Sequence, residues 1–163
     1  MTKRSIILDQ MTPGVADLRS HLRITGSHLD GELQGKLLAA FRASEHYIGR
    51  MIALSDVVES VPFGANIALG CRPIVSVSSV KVDGEVTDAY SVSDGVLAFD
   101  STVSGSSVEI SYRAGMESPD YDIVAAVLMH AAALVNNPVD HVEALPKASQ
   151  NLLRPYRTYG GQD

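Results

Sequence analysis

Apolar residues recur at helical spacing near the N-terminus and predict two helices there. The first begins at Thr12-Pro13, because Thr12 can cap the helix and proline is favoured at the first helical position. The second continues to about Ala53. The apolar stripes consist of Val15, Leu18 and Leu22 in the first helix and of Leu29, Leu33, Leu37, Phe41, Ile48 and Ile52 in the second.

The helical period disappears between residues 57 and 113, where valine, serine, threonine and glycine dominate. Asp83-Gly84 and Asp94-Gly95 are hairpin-turn sequences. The segment from Val108 to Tyr112 alternates in the manner of a half-buried strand. This region is therefore predicted to be a small antiparallel sheet of about three to five strands.

Helical spacing returns after Ser118-Pro119-Asp120, which combines a cap, a proline and an acid at a helix start. Asn136-Asn137-Pro138 ends this helix. A short last helix covers about 146–153, before the break at Arg154-Pro155. The predicted buried face of the longer helix consists of Ile123, Ala126, Val127, His130, Ala131 and Leu134.

Together these segments predict an α+β fold that is mainly a bundle of four helices. A small antiparallel β insertion, about 57–113, lies between the second and third helices. The helices occupy about 13–53 and 118–154, and a flexible C-terminal tail covers 155–163. A chain of 163 residues is predicted to form a single domain, 1–163.

Charge is distributed unevenly along the chain, whose net charge is −6. Residues 83–122 contain nine acids and one base, whereas residues 3–50 contain seven bases and five acids. Such an acidic protein is a poor candidate for gripping nucleic acid, which requires clustered Lys and Arg. The longest apolar stretch, 123–135, is shorter than the ~20 residues that span a bilayer, and no export signal is predicted.

The residues that often carry chemistry form no motif. The five histidines lack metal-ligand spacing, and Cys71 is the only cysteine. Asp120 and Asp122 are better interpreted as surface acids in a first helical turn than as a catalytic pair. The sequence therefore predicts no catalytic residues, no metal and no cofactor. A small enzyme or ligand-binding domain with a scattered site remains the less favoured alternative.

Two N-terminal segments resemble the phage head–tail connector (adaptor) family. Residues 15–24, Val-Ala-Asp-Leu-Arg-Ser-His-Leu-Arg-Ile, match the family's first helix. The alanine-rich helix that follows ends in residues 45–50, Glu-His-Tyr-Ile-Gly-Arg, as the family's second helix does. Later segments resemble the family's β-region and last two helices: residues 72–77, 112–115, 123–131 and 145–157. The match spans nearly the whole chain, although the break at 136–138 comes earlier than in the family.

This resemblance implies a connector-type bundle and a structural, non-enzymatic role. The chain would form a homo-oligomeric ring of about a dozen copies on the portal protein. Tail-side neck or tail proteins would be further partners, DNA would be present only in transit, and no membrane would be involved. The expected location is the virion neck, after assembly in the host cytoplasm. Another virion part, such as a head-completion or tail-terminator subunit, is the alternative within this class.

The candidate partner-binding residues form two sets, because arginine and aromatic side chains dominate interface energetics. The first set belongs to the slightly basic N-terminal helices and is expected to meet acidic neighbours or the portal: Arg19, Arg23, Arg42 and Arg50. The second set belongs to the C-terminal segment, which is expected to become ordered on a partner: Arg154, Tyr156, Arg157 and Tyr159.

Overall fold

A computed structural model describes residues 1–137 and 145–158. The chain forms two compact units. The β unit consists of Met1–Ile7 and Ala53–Met116. The helical unit consists of Leu8–Ile52 and the described chain from Glu117 onward. Both units are therefore built from separated parts of the sequence.

The β unit contains two antiparallel sheets. The larger sheet has five strands in the order β1-β2-β8-β4-β5, and the smaller has three in the order β3-β7-β6. The strands are β1 (Thr2–Ile6), β2 (Ser55–Pro62), β3 (Asn66–Ala68), β4 (Ile74–Val82), β5 (Glu85–Val86), β6 (Tyr90–Ser93), β7 (Val96–Phe99) and β8 (Ser107–Ala114).

The central strand β8 buries every second side chain. Its buried face therefore supplies much of the core of the larger sheet: Val108, Ile110, Tyr112 and Ala114. Both predicted hairpin turns are confirmed. Asp83-Gly84 joins β4 to β5 and Asp94-Gly95 joins β6 to β7, with positive φ at all four residues. Tight hairpins of this kind require positive φ, which Asp tolerates and Gly adopts freely.

The helical unit contains α1 (Val15–Leu22), α2 (Asp30–Ile48), α3 (Tyr121–Asn136) and α4 (Lys147–Leu153). Helix α3 packs against the three other helices. The Ser149 hydroxyl donates to the carbonyl oxygen of Ala126 at 3.0 Å and ties α4 to α3. The predicted apolar faces supply the core, in which Leu18, Leu33, Leu37, Phe41, Ile123, Val127 and Leu153 are buried.

Two helices are shorter than predicted, α1 at its start and α2 at its end. Helix α1 is capped by Gly14, whose amide donates to Asp17 Oδ2 at 2.7 Å, and not by Thr12. Helix α2 ends at Ile48 because Gly49 turns left-handed, with φ of 75°. The Ile52 amide then donates to the buried carboxylate of Glu45 at 2.8 Å, which holds the chain after the helix.

The expectation of a mainly helical bundle is wrong. The fold is α+β: of the residues that the structure describes, about 37% are helical and 28% lie in strands, and two sheets take the place of one small insertion. Part of the larger sheet also lies outside the predicted insertion, since β1 precedes the first helix. Strand β1 buries no side chain fully, and β3 and β5 have only three and two residues. None of these strands carries the alternating pattern, about four to eight residues long, that marks a strand in sequence.

Candidate partner-binding site

The C-terminal segment binds the end of α2. Thr158 donates to the carbonyl oxygen of Ile48 from its amide at 2.8 Å and from its hydroxyl at 2.9 Å. The last carbonyls of a helix have no partner within the helix, so these bonds satisfy one of them. A Cβ at Gly49 would lie 2.6 Å from Thr158 Oγ1. Glycine is therefore required at this position both for its φ and for the approach of Thr158.

Arg157 stacks on the same end of α2. Its guanidinium carbon lies 5.2 Å from the centre of the Tyr47 ring. Arg157 is exposed and Tyr47 is half-buried. A cation–π contact at an exposed site contributes about 0.5–1 kcal/mol. The contact holds the guanidinium in place while leaving it at the surface.

Tyr156 contacts the start of α3. Burial, a hydrogen bond with the Asp120 carboxylate and the negative charges of Asp120 and Asp122 all raise the pKa of Tyr156. Arg154 precedes it in the same 3-10 turn and is exposed. Residues 154–158 are thus anchored at two points, one on α2 and one on α3.

Two of the N-terminal candidates, Arg19 and Arg23, lie around the turn between α1 and α2. The Arg19 guanidinium donates to the carbonyl of Gly26 at 3.2 Å and lies 3.3 Å from the Asp30 carboxylate. Arg23 ends α1 in the left-handed conformation, with φ of 57°, and its side chain is exposed. Arg42 is exposed on α2. Arg19 therefore stabilises the turn, whereas Arg23 and Arg42 present their charge to solvent.

The structure places the turn with Arg19 and Arg23 and the C-terminal segment at opposite ends of α2, with Arg42 between them and nearer the second end. Asp30, which pairs with Arg19, begins the helix, and Ile48, which binds Thr158, ends it. At 1.5 Å per residue these ends are roughly 27 Å apart. Arg50 is exposed just beyond the second end, close in sequence to the residues that hold the C-terminal segment. Tyr159 lies outside the described residues.

Three solved structures share this fold over essentially the whole chain. The first, the neck of an empty GTA particle computed with C6 symmetry, aligns with a TM-score of 0.76 at 21% identity and covers 100% of both chains. The neck of a native GTA particle computed with C12 symmetry aligns with a TM-score of 0.75 at 20% identity and covers 100% of both chains. The virion of a native gene transfer agent (GTA) particle aligns with a TM-score of 0.74 at 20% identity and covers 99% of this chain and 98% of that one.

The chain has the fold of gene transfer agent neck proteins. The resemblance to phage connector proteins that the sequence carries is confirmed at this level. No family model matches the chain, and no curated protein sequence matches it. At these identities the likeness establishes the fold alone.

Within this neck-protein fold, the structure shows a polar network that sequence reasoning missed. The Tyr112 hydroxyl donates to Glu59 Oε2 at 2.8 Å, and the Gly70 amide donates to the same oxygen at 3.2 Å. The Cys71 amide donates to the Tyr112 hydroxyl oxygen at 3.2 Å. Glu59 and Tyr112 are buried, and burial is the main cause that raises the pKa of Tyr112. The network joins the 70–71 segment to β2 and β8 and therefore has a structural role.

In the described part of the chain, no group of three or more His, Cys, Asp and Glu side chains could hold a metal ion. Among the same residues, no helix is long and apolar enough to cross a membrane. Asp120 and Asp122 are exposed at the start of α3, where sequence analysis expects surface acids.

Proposed function

We propose that the chain is a structural subunit of a virion neck, namely the ring that connects head to tail in a tailed phage or a phage-derived particle. The observation that carries this proposal is the agreement of the whole fold with neck proteins, at full coverage of both chains. A shared motif or a single sheet would occur in unrelated proteins. Agreement of both units in one chain order is far more specific.

The expected oligomer is a closed ring of identical subunits. The neck structures that share the fold were computed with C6 and C12 symmetry, which supports a ring of about a dozen copies. In this proposal the β unit and the helical unit together make up the single connector domain, 1–163. The role is structural, without catalysis or cofactor.

The C-terminal group is proposed as the portal-binding surface. Arg154 and Arg157 are exposed. The contacts of Tyr156 and Thr158 hold the backbone of this segment in place. Arginine and tyrosine gathered on an ordered segment match the composition of binding hot spots. Arg50 adds positive charge beside this group, and Tyr159 continues it in the sequence.

The N-terminal group is proposed as a second contact, with an acidic neighbour or with the portal. Arg23 is exposed beside the turn that Arg19 stabilises through its pairing with Asp30, and Arg42 is exposed farther along α2. Because the turn with Arg19 and Arg23 and the C-terminal group lie at opposite ends of α2, one subunit can engage two partners at once.

The remaining partners follow from the place of a neck in a virion. Tail-side neck or tail proteins would bind the other face of the ring, and DNA would cross it only in transit. The subunit would be made in the host cytoplasm and would end in the virion, without membrane contact. A head-completion or tail-terminator subunit is the related alternative, which would bind a different partner.

Binding to the portal tests this proposal. The full chain and a chain truncated after Leu153 would each be mixed with the portal protein of the same particle and separated by sedimentation. We expect the full chain to co-sediment and the truncated chain to lose most of its binding. A matched variant, Arg154→Ala with Arg157→Ala, keeps Thr158 and removes both guanidinium groups, together with the contact of Arg157 with Tyr47. Unchanged binding after truncation would rule out the C-terminal group as the portal contact.

A further inference from the structure

Strand β1 is the edge strand of the larger sheet, and its side chains bury almost nothing. Thr2–Ser5 are exposed and Ile6 is half-buried. The neighbouring β2 and the central β8 instead alternate buried and less buried residues. Strand β1 is therefore held in the subunit by its backbone hydrogen bonds to β2 and by the Arg4 guanidinium, with little support from the hydrophobic core. Arg4 donates to the Ser55 hydroxyl at 3.0 Å and to the Ala53 carbonyl at 3.4 Å.

The hydrogen-bond pattern shows which backbone groups of β1 point inward. At one end of the strand, Ser60 on β2 donates from its amide to the carbonyl of Met1 at 2.8 Å. At the other end, the amide of Ile7 donates to the carbonyl of Leu54 at 2.9 Å. Residues of an antiparallel pair bond to the partner strand alternately. Odd-numbered positions of β1 therefore bond to β2.

The even-numbered positions consequently point away from the sheet. The amide and carbonyl groups of Thr2 and Ile6 lie on the outer edge, beyond which no strand of the described chain is found. An open edge of this kind is a template for pairing with another strand. The edge is about five residues long, which is a typical strand length.

A second open edge lies at the opposite side of the same sheet. Strand β5 pairs only with Lys81 and Val82 of β4, and the Thr87 amide bonds to the Val80 carbonyl at 3.0 Å. The outer side of β4 from 74 to 79 has no partner strand among the described residues. This stretch is about as long as β1. Two register shifts occur within it, and such bulges add twist to a strand.

The two edges differ in charge. Lys3 and Arg4 make β1 basic. The open stretch of β4, residues 74–79, contains no charged residue, and the exposed acids Asp83, Glu85 and Asp88 lie beyond it, at the end that β5 covers. Pairing of β1 with the β4 edge therefore opposes no like charges. Pairing of β1 with a second β1 would bring like charges together.

We propose that β1 of one subunit pairs with the outer edge of β4 of a second copy, so that the five-stranded sheet continues from subunit to subunit. The contact joins two different surfaces and is therefore heterologous, the type that forms rings when the rotation closes. This inference rests on the proposed ring function. It assigns the subunit contact to the β unit and leaves both arginine groups of the helical unit available for other partners.

Proline substitution tests the role of the edge. The Ile6 amide points outward, so Ile6→Pro removes a donor that the isolated subunit does not use. Ser5 is the matched control, because Ser5→Pro removes an inward amide and is expected to lower the melting temperature of the subunit. The full-length chains would be compared by light scattering, alone and with the portal protein. We expect Ile6→Pro to lower the melting temperature less than Ser5→Pro does and to reduce the ring fraction at least tenfold.

Charge provides an independent test that does not alter the backbone. Ser76→Lys places a positive charge on the open stretch of β4 and should weaken its pairing with the basic β1. A ring that forms normally with both Ile6→Pro and Ser76→Lys would overturn this inference while leaving the neck function intact. A chain that forms no ring in either condition would contradict the neck function as well.

Cysteine cross-linking identifies the paired strands directly. In a Cys71→Ser background, Thr2→Cys combined with Ser76→Cys should give a ladder of disulfide-linked multimers on oxidation of the assembled ring. Either cysteine alone should give none. Dimers from Thr2→Cys alone would show pairing of two β1 strands and overturn the proposed arrangement.

Discussion

Thr158 donates two hydrogen bonds to the carbonyl oxygen of a single residue, Ile48, the last residue of α2. The contact joins positions 110 residues apart in sequence. It fixes the segment that carries Arg154, Tyr156 and Arg157 to the end of a long helix. A proposed binding surface is thereby held in place before any partner arrives.

Gly49→Ala should loosen this contact. The new Cβ would meet Thr158 Oγ1, and alanine would have to adopt a φ of 75°. The left-handed conformation alone costs about 1–2 kcal/mol for a residue with a side chain. We expect a loss of at least that size in the free energy of unfolding, measured by urea denaturation. Gly35→Ala is the control, since nothing lies within 4 Å of its Cβ position in the middle of α2. That variant should gain about 0.5–1 kcal/mol.

Tyr112→Phe should destabilise the β unit. The substitution removes the hydroxyl that donates to the buried carboxylate of Glu59 and leaves that carboxylate with one donor fewer. Loss of a buried partner costs about 1–3 kcal/mol, and more for a charged group. Tyr121→Phe, at a position that is 93% exposed, should leave stability unchanged. Equal thermal unfolding of both variants would contradict a stabilising role for the Glu59 network.

His130 should make the fold sensitive to acid. The imidazole is buried in α3, its Nδ1 has no partner in the described structure, and burial lowers its pKa. Below the ordinary pKa of about 6.5, the unfolded chain takes up a proton that the folded chain does not bind. The contribution of His130 to the free energy of unfolding is therefore at its full value above pH ~6.5. It declines as the pH falls toward the lowered pKa, by at most about 1.4 kcal/mol per pH unit.

Urea denaturation at pH 7.5 and pH 5.5 checks this dependence. The wild-type chain should lose stability between these two pH values. His130→Leu should lose much less, because leucine at position 130 does not titrate. His46→Gln, at an exposed position of α2, should behave like wild type. An identical pH slope in His130→Leu and wild type would remove His130 as the cause.

Asp83 should titrate below its ordinary value. Hydrogen bonds from the amides of Ser107 and Ser106 and from the Ser107 hydroxyl lower the pKa of this carboxyl from 3.8. Its contribution to stability is therefore present above pH ~3.8 and is lost as the pH falls through the lowered pKa. An NMR titration of the side-chain carboxyl would follow it directly. Ser107→Ala should move the pKa only part of the way back, since both amides remain; an unchanged pKa would exclude a role for the hydroxyl.

The sequence predicts the long helices and the two hairpin turns well because each has strong local determinants. The stripe from Leu33 to Ile48 follows one face of α2, and Asp83-Gly84 and Asp94-Gly95 meet the φ requirement of tight turns. Strand β1 cannot be predicted in this way. Its partner β2 lies about fifty residues later in the chain. The side chains of β1 are exposed, so the strand is formed by backbone pairing and shows no burial pattern in the sequence.

The same contrast between local and long-range determinants applies to the candidate partner-binding site. The arginines and Tyr156 can be selected by residue type, but their grouping depends on tertiary contacts such as Thr158 with Ile48 and Arg19 with Asp30. Nothing local in the sequence indicates those contacts. The Glu59–Tyr112 network joins residues 53 positions apart and leaves no local signature either. Residue types that suit an interface are therefore predictable, whereas the division of the arginines between two ends of α2 is not.

The mass of the purified chain in solution, measured by light scattering alone and then with the portal protein of the same particle, tests the central claim most directly. The monomer is 17.4 kDa, so a ring of a dozen copies has a mass of roughly 210 kDa. The neck proposal predicts that mass for the chain alone or that added mass on the portal. A species of 17.4 kDa in both conditions, with no binding to the portal, would contradict it.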